Sequence, residues 1–209
     1  MVSGMGTDAR REKADYFHRM AQGWDERVGN NGRRRELLGR VFGMMRIPAG
    51  ARVLDVGCGS GVLFPFIEKK VGPEGKIVAV DPAEGMIEQA RAAAVDFTNI
   101  ECRAGFIEEM NFPTGMFDTI LCYAVLPHMD DIPGALGVLF RALAPGCILY
   151  IFHPDDTRTL NEFHSGLNAP VKHDLLPEEA ALRALLEGAG FRVLRYIDEP
   201  GLNFTECVK

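Results

Sequence analysis

Two apolar runs with unusual endings constrain this chain most. Val53-Leu54-Asp55-Val56-Gly57-Cys58-Gly59-Ser60-Gly61 closes on three alternating glycines, and Gly75-Lys76-Ile77-Val78-Ala79-Val80-Asp81 closes on one carboxylate. A glycine has no Cβ, so backbone can pass close to a ligand there. A carboxylate at the end of the following strand can accept hydrogen bonds from two neighbouring ribose hydroxyls. Together they predict a pocket for an adenosine-containing molecule at the carboxyl ends of parallel strands.

The rest of the chain continues the alternation. Strands are expected at 52–56, 76–81, 100–103, 119–123, 148–153, 192–197 and 203–208, with helices at 62–70, 83–94, 133–143 and 177–187 between them. Several strands are apolar throughout, as happens when helices cover both faces of a sheet. Pro133 and Pro177 mark helix starts, where a missing N–H costs little. Gly188 and Gly190 follow the last helix and are placed for a left-handed cap. Only a few residues around Pro200-Gly201 join the last two strands, too few for a parallel crossover, so that pair should be antiparallel. The expected fold is α/β: a doubly wound, seven-stranded, mostly parallel sheet with one antiparallel strand. Residues 1–47 read differently, as helices at 15–25 and 34–46, with Tyr16, Phe17, Met20 and Trp24 at helical spacing. They are expected to pack an apolar face on the sheet domain, 48–209, and to form a helical cap and lid over its ligand.

A length of 209 residues suits one domain with such an appendage, and 47% hydrophobic with 25% charged residues allows an ordinary core. The formal net charge of −6 argues against nucleic acid as a partner. Arg33-Arg34-Arg35 is short, is followed by Glu36, and reads as a solvated helix face. No apolar run reaches the length of a membrane span, and the first residues lack a secretory pattern. Five scattered cysteines without a C-x-x-C pair fit a reducing cytoplasm, with Cys122 and Cys147 expected as buried thiols in strands.

The glycine spacing separates two ligand classes. Val62 stands where a dinucleotide G-x-G-x-x-G motif carries its last glycine. Asp55 would sit poorly beside a pyrophosphate, whereas a carboxylate there suits an ammonium or sulfonium group. The run resembles motif I of the class I S-adenosylmethionine-dependent methyltransferases, particularly their ubiquinone/menaquinone-biosynthesis-like group. Tyr16-Phe17 with Trp24-Asp25 resembles that group's entry segment, Phe117-Asp118 with Leu121-Cys122 its fourth strand, and Leu143-Ala144-Pro145-Gly146 the turn before its fifth. The resemblance implies a Rossmann-like fold. It also implies that S-adenosylmethionine is the methyl donor, that S-adenosylhomocysteine is the product, and that the acceptor is a small molecule. By the same resemblance Gly57, Cys58, Gly59 and Gly61 pass over the methionine moiety, Asp55 orients its amino group, and Asp81 holds the ribose. Pro82, Met86, Phe106, Ile107 and Tyr123 complete the cofactor site, although the acid the family often carries just after its third strand is missing from Ala104-Gly105-Phe106-Ile107.

Methyl transfer from a sulfonium is an in-line displacement, so alignment and water exclusion can carry most of it, and a base is needed only if the acceptor loses a proton. The candidates follow the fourth and fifth strands: His128 and His153 as catalytic residues, with Tyr16, Trp24, His164 and His173 joining them around the acceptor. The spacing of His153, His164 and His173 matches no strong metal motif, though a metal there is a weaker alternative. A non-catalytic cofactor-binding partner subunit and a nucleotide-dependent oxidoreductase remain the competing functions, and the chain reads as a monomer or homodimer.

Overall fold

The computed structural model describes residues 5–27 and 32–209. In chain order run α1 (Met5–Met20), α2 (Trp24–Arg27), α3 (Gly32–Met44), β1 (Arg52–Val56), α4 (Phe64–Val71), β2 (Lys76–Asp81), α5 (Glu84–Ala93), β3 (Ile100–Ala104), β4 (Phe117–Tyr123), α6 (Ile132–Ala142), β5 (Leu143–His153), α7 (Thr157–Ser165), α8 (Glu179–Gly188), β6 (Arg192–Glu199) and β7 (Leu202–Val208). Two 3-10 turns, Ile107–Glu109 and Leu126–His128, follow β3 and β4.

The strands form one sheet in the order β3-β2-β1-β4-β5-β7-β6. All neighbours are parallel except at β7, which runs antiparallel to both β5 and β6. This is the expected Rossmann-like, doubly wound sheet with one antiparallel strand. The winding reverses between β1 and β4, and the divergence of loops there opens a crevice at the strands' carboxyl ends.

Strand residues alternate between the two faces, and each face is sealed by helices. Leu54, Val56 and Ile120 bury against Leu136 and Leu139 of α6 and Leu182 and Leu186 of α8. Val53, Leu121, Tyr150 and Phe152 turn the other way, against Leu38, Val41 and Phe42 of α3 and Ile67 of α4. Asp131 caps α6 by accepting from the Gly134 N–H at 2.9 Å, with Pro133 in the first turn. Among the described residues, no helix is long and apolar enough to cross a membrane.

The N-terminal helices differ in extent from the expected ones. The first starts at Met5 and ends at Met20; Gly23, at φ 74°, breaks the chain before a separate short α2 begins at Trp24. Helix α1 leans on α5, where Ala21, Ala83 and Met86 pack with Phe17 and Trp24. The Gly85 N–H donates to His18 Nδ1 at 2.9 Å, and a Cβ on Gly85 would come within 2.8 Å of the His18 carbonyl oxygen.

Several local expectations need correction. The stretch after β5, where no element is expected, contains a helix, α7, which Asp156 caps by accepting from the Thr159 N–H at 3.0 Å. Pro177 lies ahead of α8, whose N-cap is Glu178. Gly188 ends that helix, and Gly190, at φ 101°, makes the left-handed turn. Cys122 is fully buried but Cys147 only half so, because it lies in the loosely paired first part of β5.

Candidate active site

The crevice between the β1 and β4 ends is a cavity of about 240 Å³, lined by residues from both halves of the sheet and from α1, α2 and α3. The glycine loop forms its floor. Gly57, at φ 66°, and Gly59, at φ 52°, occupy the left-handed region that L side chains rarely adopt. A Cβ on Gly57 would overlap the Val125 side chain, whereas Gly59 leaves open space facing the Trp24 indole. The Gly57 and Cys58 N–H groups both donate to the Val80 carbonyl, at 2.8 and 3.1 Å, which ties the loop to the end of β2. Gly61 lies behind the loop against the Phe64 ring rather than on the cavity wall, a correction to its expected place. Ala124, at the end of β4, is held at φ 51°, a strained conformation on the cavity wall.

Two carboxylates stand at the strand ends. Asp81 accepts from the Gly59 N–H at 3.0 Å and the Ala83 N–H at 2.9 Å. Burial raises its carboxyl to about 6, against the pull of those two donors. Each oxygen keeps a lone pair for a further donor. Asp55 is only 1% exposed, and among the described residues neither of its oxygens has a hydrogen-bond partner. Burial, and then the neighbouring Asp81, push it up to about 7. A buried carboxylate without a donor is costly, and an ammonium group entering the cavity would relieve that cost. The two acids therefore fit a ligand with a vicinal diol and a positive charge, as S-adenosylmethionine has.

Pro82, Met86, Phe106, Ile107 and Tyr123 also line the cavity. The Arg10 guanidinium lies 5.3 Å from the centre of the Phe106 ring. Just after 104–107, Glu108 is half-buried on the wall, and its carboxyl is raised chiefly by that burial. Arg34 departs from the solvated run expected for 33–35, since it is half-buried and its guanidinium sits 5.9 Å from the centre of the Tyr123 ring.

The far side of the cavity brings three imidazoles together. His128 Nδ1 is 2.7 Å from Asp174 Oδ2. That carboxylate fixes the proton on Nδ1 and leaves Nε2 as an acceptor in the neutral ring. The His128 ring lies 5.1 Å from His164 and 5.1 Å, edge-on, from Phe17. His153 is buried and among the described residues neither ring nitrogen has a partner; burial, then His128 and His164, bring it down to about 3. His164 is lowered by burial and by His128. Leu160 and Phe163 of α7 close this end, with Phe163 62% exposed at the mouth.

Not every expected acceptor residue arrives. Trp24 lines the cavity, but Tyr16 sits edge-on behind Phe17 with centroids 5.3 Å apart and does not reach it. His173 is exposed and outside the cavity, because the chain turns its neighbour Asp174 inward instead. His153, His164 and His173 therefore do not converge, and among the described residues no group of three His, Cys, Asp or Glu side chains could hold a metal ion. Sequence reading also missed Lys13, whose ammonium group binds Asp174 at 2.8 Å and Asp130 at 2.9 Å. Its position four residues before Phe17, on the same helix face, was the available signal. Nothing near Asp174 marked it out.

Comparison with known proteins bears on the same region. The profile of a family described as a methyltransferase domain matches residues 47–189. The 2-phytyl-1,4-naphtoquinone methyltransferase of Thermosynechococcus vestitus is 30% identical over 174 residues, covering 73% of this chain and 77% of that protein. An uncharacterised 37.1 kDa transposon protein of Streptomyces fradiae is 33% identical over 113 residues, 54% of this chain but only 33% of that protein's length. A SAM-dependent methyltransferase from Aquifex aeolicus shares the fold, with a TM-score of 0.68 at 24% identity over 81% of this chain and 88% of that one.

Proposed function

The chain belongs to the methyltransferase-domain family and is an S-adenosylmethionine-dependent methyltransferase, and from that premise we propose that it methylates an uncharged, partly aromatic small molecule held among Phe17, His128, His153 and His164. The cofactor supplies an electrophilic methyl group on a sulfonium. Asp81 is assigned the ribose hydroxyls and Asp55 the methionine ammonium, each offering a carboxylate oxygen where a donor is lacking. Phe106 and Ile107 border the adenine, under Arg10. Phe17 and Trp24 keep water from the reacting atoms as α1 and α2 lie over the loop. His128 takes the proton that an acceptor hydroxyl loses, since Asp174 holds its Nδ1 and leaves Nε2 free to accept. His153, kept neutral by burial, orients the acceptor by hydrogen bonding rather than by charge.

The observation that carries this reading is the buried, donor-free Asp55 beside a second acid at the glycine loop. An uncharged aromatic acceptor is supported by the apolar walls, by the neutral imidazoles, and by the naphthoquinone substrate in the name of the Thermosynechococcus relative. A non-catalytic cofactor-binding subunit is less well supported, because it calls for a blocked acceptor pocket and here the cavity runs on past the glycine loop to the histidines. Calorimetry with S-adenosylhomocysteine, followed by a methyl-transfer screen over hydroxyarenes, reduced naphthoquinones, amines and thiols, tests the proposal. Binding of the homocysteine product and turnover of a hydroxyarene or quinol are expected. Failure to bind it, or turnover confined to amines or thiols, refutes the assignment.

A further inference from the structure

We propose that Lys13 is a positioning residue for His128, acting through Asp174: seated α1 brings Lys13 to Asp174, and Asp174 holds the imidazole, so the charge that faces the His128 ring is set only when the N-terminal helix is docked. This rests on the role given to His128 above and extends the site to α1, which reaches it through Lys13.

The geometry is specific. Asp174 divides its oxygens, Oδ1 accepting from Lys13 at 2.8 Å and Oδ2 facing His128 Nδ1 at 2.7 Å. Lys13 also donates to Asp130 Oδ1 at 2.9 Å and to the His128 carbonyl at 3.3 Å. Lys13 is 8% exposed and Asp174 6% exposed. A buried lysine on a surface helix is costly unless its partners are preformed, so the ammonium draws α1, the turn after β4 and the segment after α7 to one point. Phe17, one helical turn further on, packs its ring edge-on to the same imidazole. Charged and titratable groups face His128 from every side: Lys13 from α1, Asp174 from the segment after α7, His164 from α7, His153 from β5, and Asp130 from its own loop.

Lys13 shares the negative charge of Asp174 that would otherwise act on His128 alone. Removing the ammonium leaves that carboxylate unshared and stabilises the imidazolium; removing the carboxylate does the reverse and releases the ring tautomer. If the lysine only seated the helix, its loss would free Asp174 from the ring and lower the midpoint, as loss of the carboxylate does.

Histidine-ring NMR of the full chain over a pH series, on wild type, Lys13→Met, Lys13→Arg, Asp174→Asn and Asp130→Asn, reads this without an acceptor. In wild type, His128 is expected to carry its proton on Nδ1. Its protonation midpoint should rise by about one pH unit in Lys13→Met, return toward wild type in Lys13→Arg, and fall in Asp174→Asn with loss of the tautomer preference. Should Lys13→Met not fold, Asp130→Asn decides: Lys13 then binds Asp174 alone and the His128 midpoint falls. Shifts of one sign in Lys13→Met and Asp174→Asn, no shift in either, or an unchanged or raised midpoint in Asp130→Asn overturn the proposal. Calorimetry with S-adenosylhomocysteine on the same wild-type sample separates the two readings, since failure to bind refutes the cofactor assignment while the ring titrations still decide the role of Lys13.

Discussion

Asp55 should make cofactor binding release protons. In the free protein its carboxyl titrates at about 7, raised by burial and by Asp81. Asp55 is then about nine-tenths protonated at pH 6, half at pH 7 and about one-tenth at pH 8. A ligand ammonium beside it favours the carboxylate, so binding drives off about 0.9 proton at pH 6 and about 0.5 at pH 7. Affinity for S-adenosylhomocysteine then rises up to about tenfold per pH unit below 7 and levels off above it, about 100-fold in all between pH 5 and 8. Asp81, at about 6 and facing hydroxyl donors, adds release of the same sign at lower pH. The two acids interact, so the measured steps belong to the pair. Titration calorimetry at pH 6, 7 and 8, in buffers of different ionisation enthalpy, counts the protons directly. Asp55→Asn should lose most of the slope between pH 6 and 8 and bind about 10- to 100-fold more weakly at pH 8, the cost of one charge-assisted hydrogen bond. Proton uptake by wild type, no linkage between pH 6 and 7, or an Asn variant that keeps the wild-type slope refutes the reasoning.

Three further outcomes follow from the geometry. Gly57→Ala puts a side chain at φ 66° and against Val125, so it should lower unfolding free energy by about 2–4 kcal/mol in urea titrations and abolish S-adenosylhomocysteine binding. His153 is depressed to about 3 in the fold, so the unfolded chain binds its proton first. Between pH 6.5 and 3 it removes up to about 1.4 kcal/mol of stability per pH unit, a slope that His153→Phe should lack in urea midpoints measured across that range. Trp24, the single tryptophan, faces the open side of Gly59, so S-adenosylhomocysteine should change its fluorescence; a flat emission titration beside a positive calorimetric one contradicts its placement.

Much of the scaffold was legible because it is local. The β1 and β2 bounds match their apolar runs, since exposed Arg52 and Lys76 open them and the glycine loop and Asp81 close them. Asp81 and Gly57 were legible for a similar reason: a strand end and a left-handed turn each admit few residue types. No element is expected at 157–165 because α7 buries only Thr157 and His164, too few to set a period. Tyr16 and Trp24 share an apolar pattern, yet the break at Gly23 turns only the second toward the cavity.

The sequence by itself determined the parallel sheet, its glycine loop and the acid that follows, because periodicity and backbone sterics act over a few residues. Only the tertiary structure decided that Asp55 lacks a donor, that Asp174 rather than His173 turns inward, and that Lys13 meets both Asp174 and His128. Those facts depend on side chains 46 to 161 residues apart being desolvated at one point, and no local pattern encodes which of them will meet.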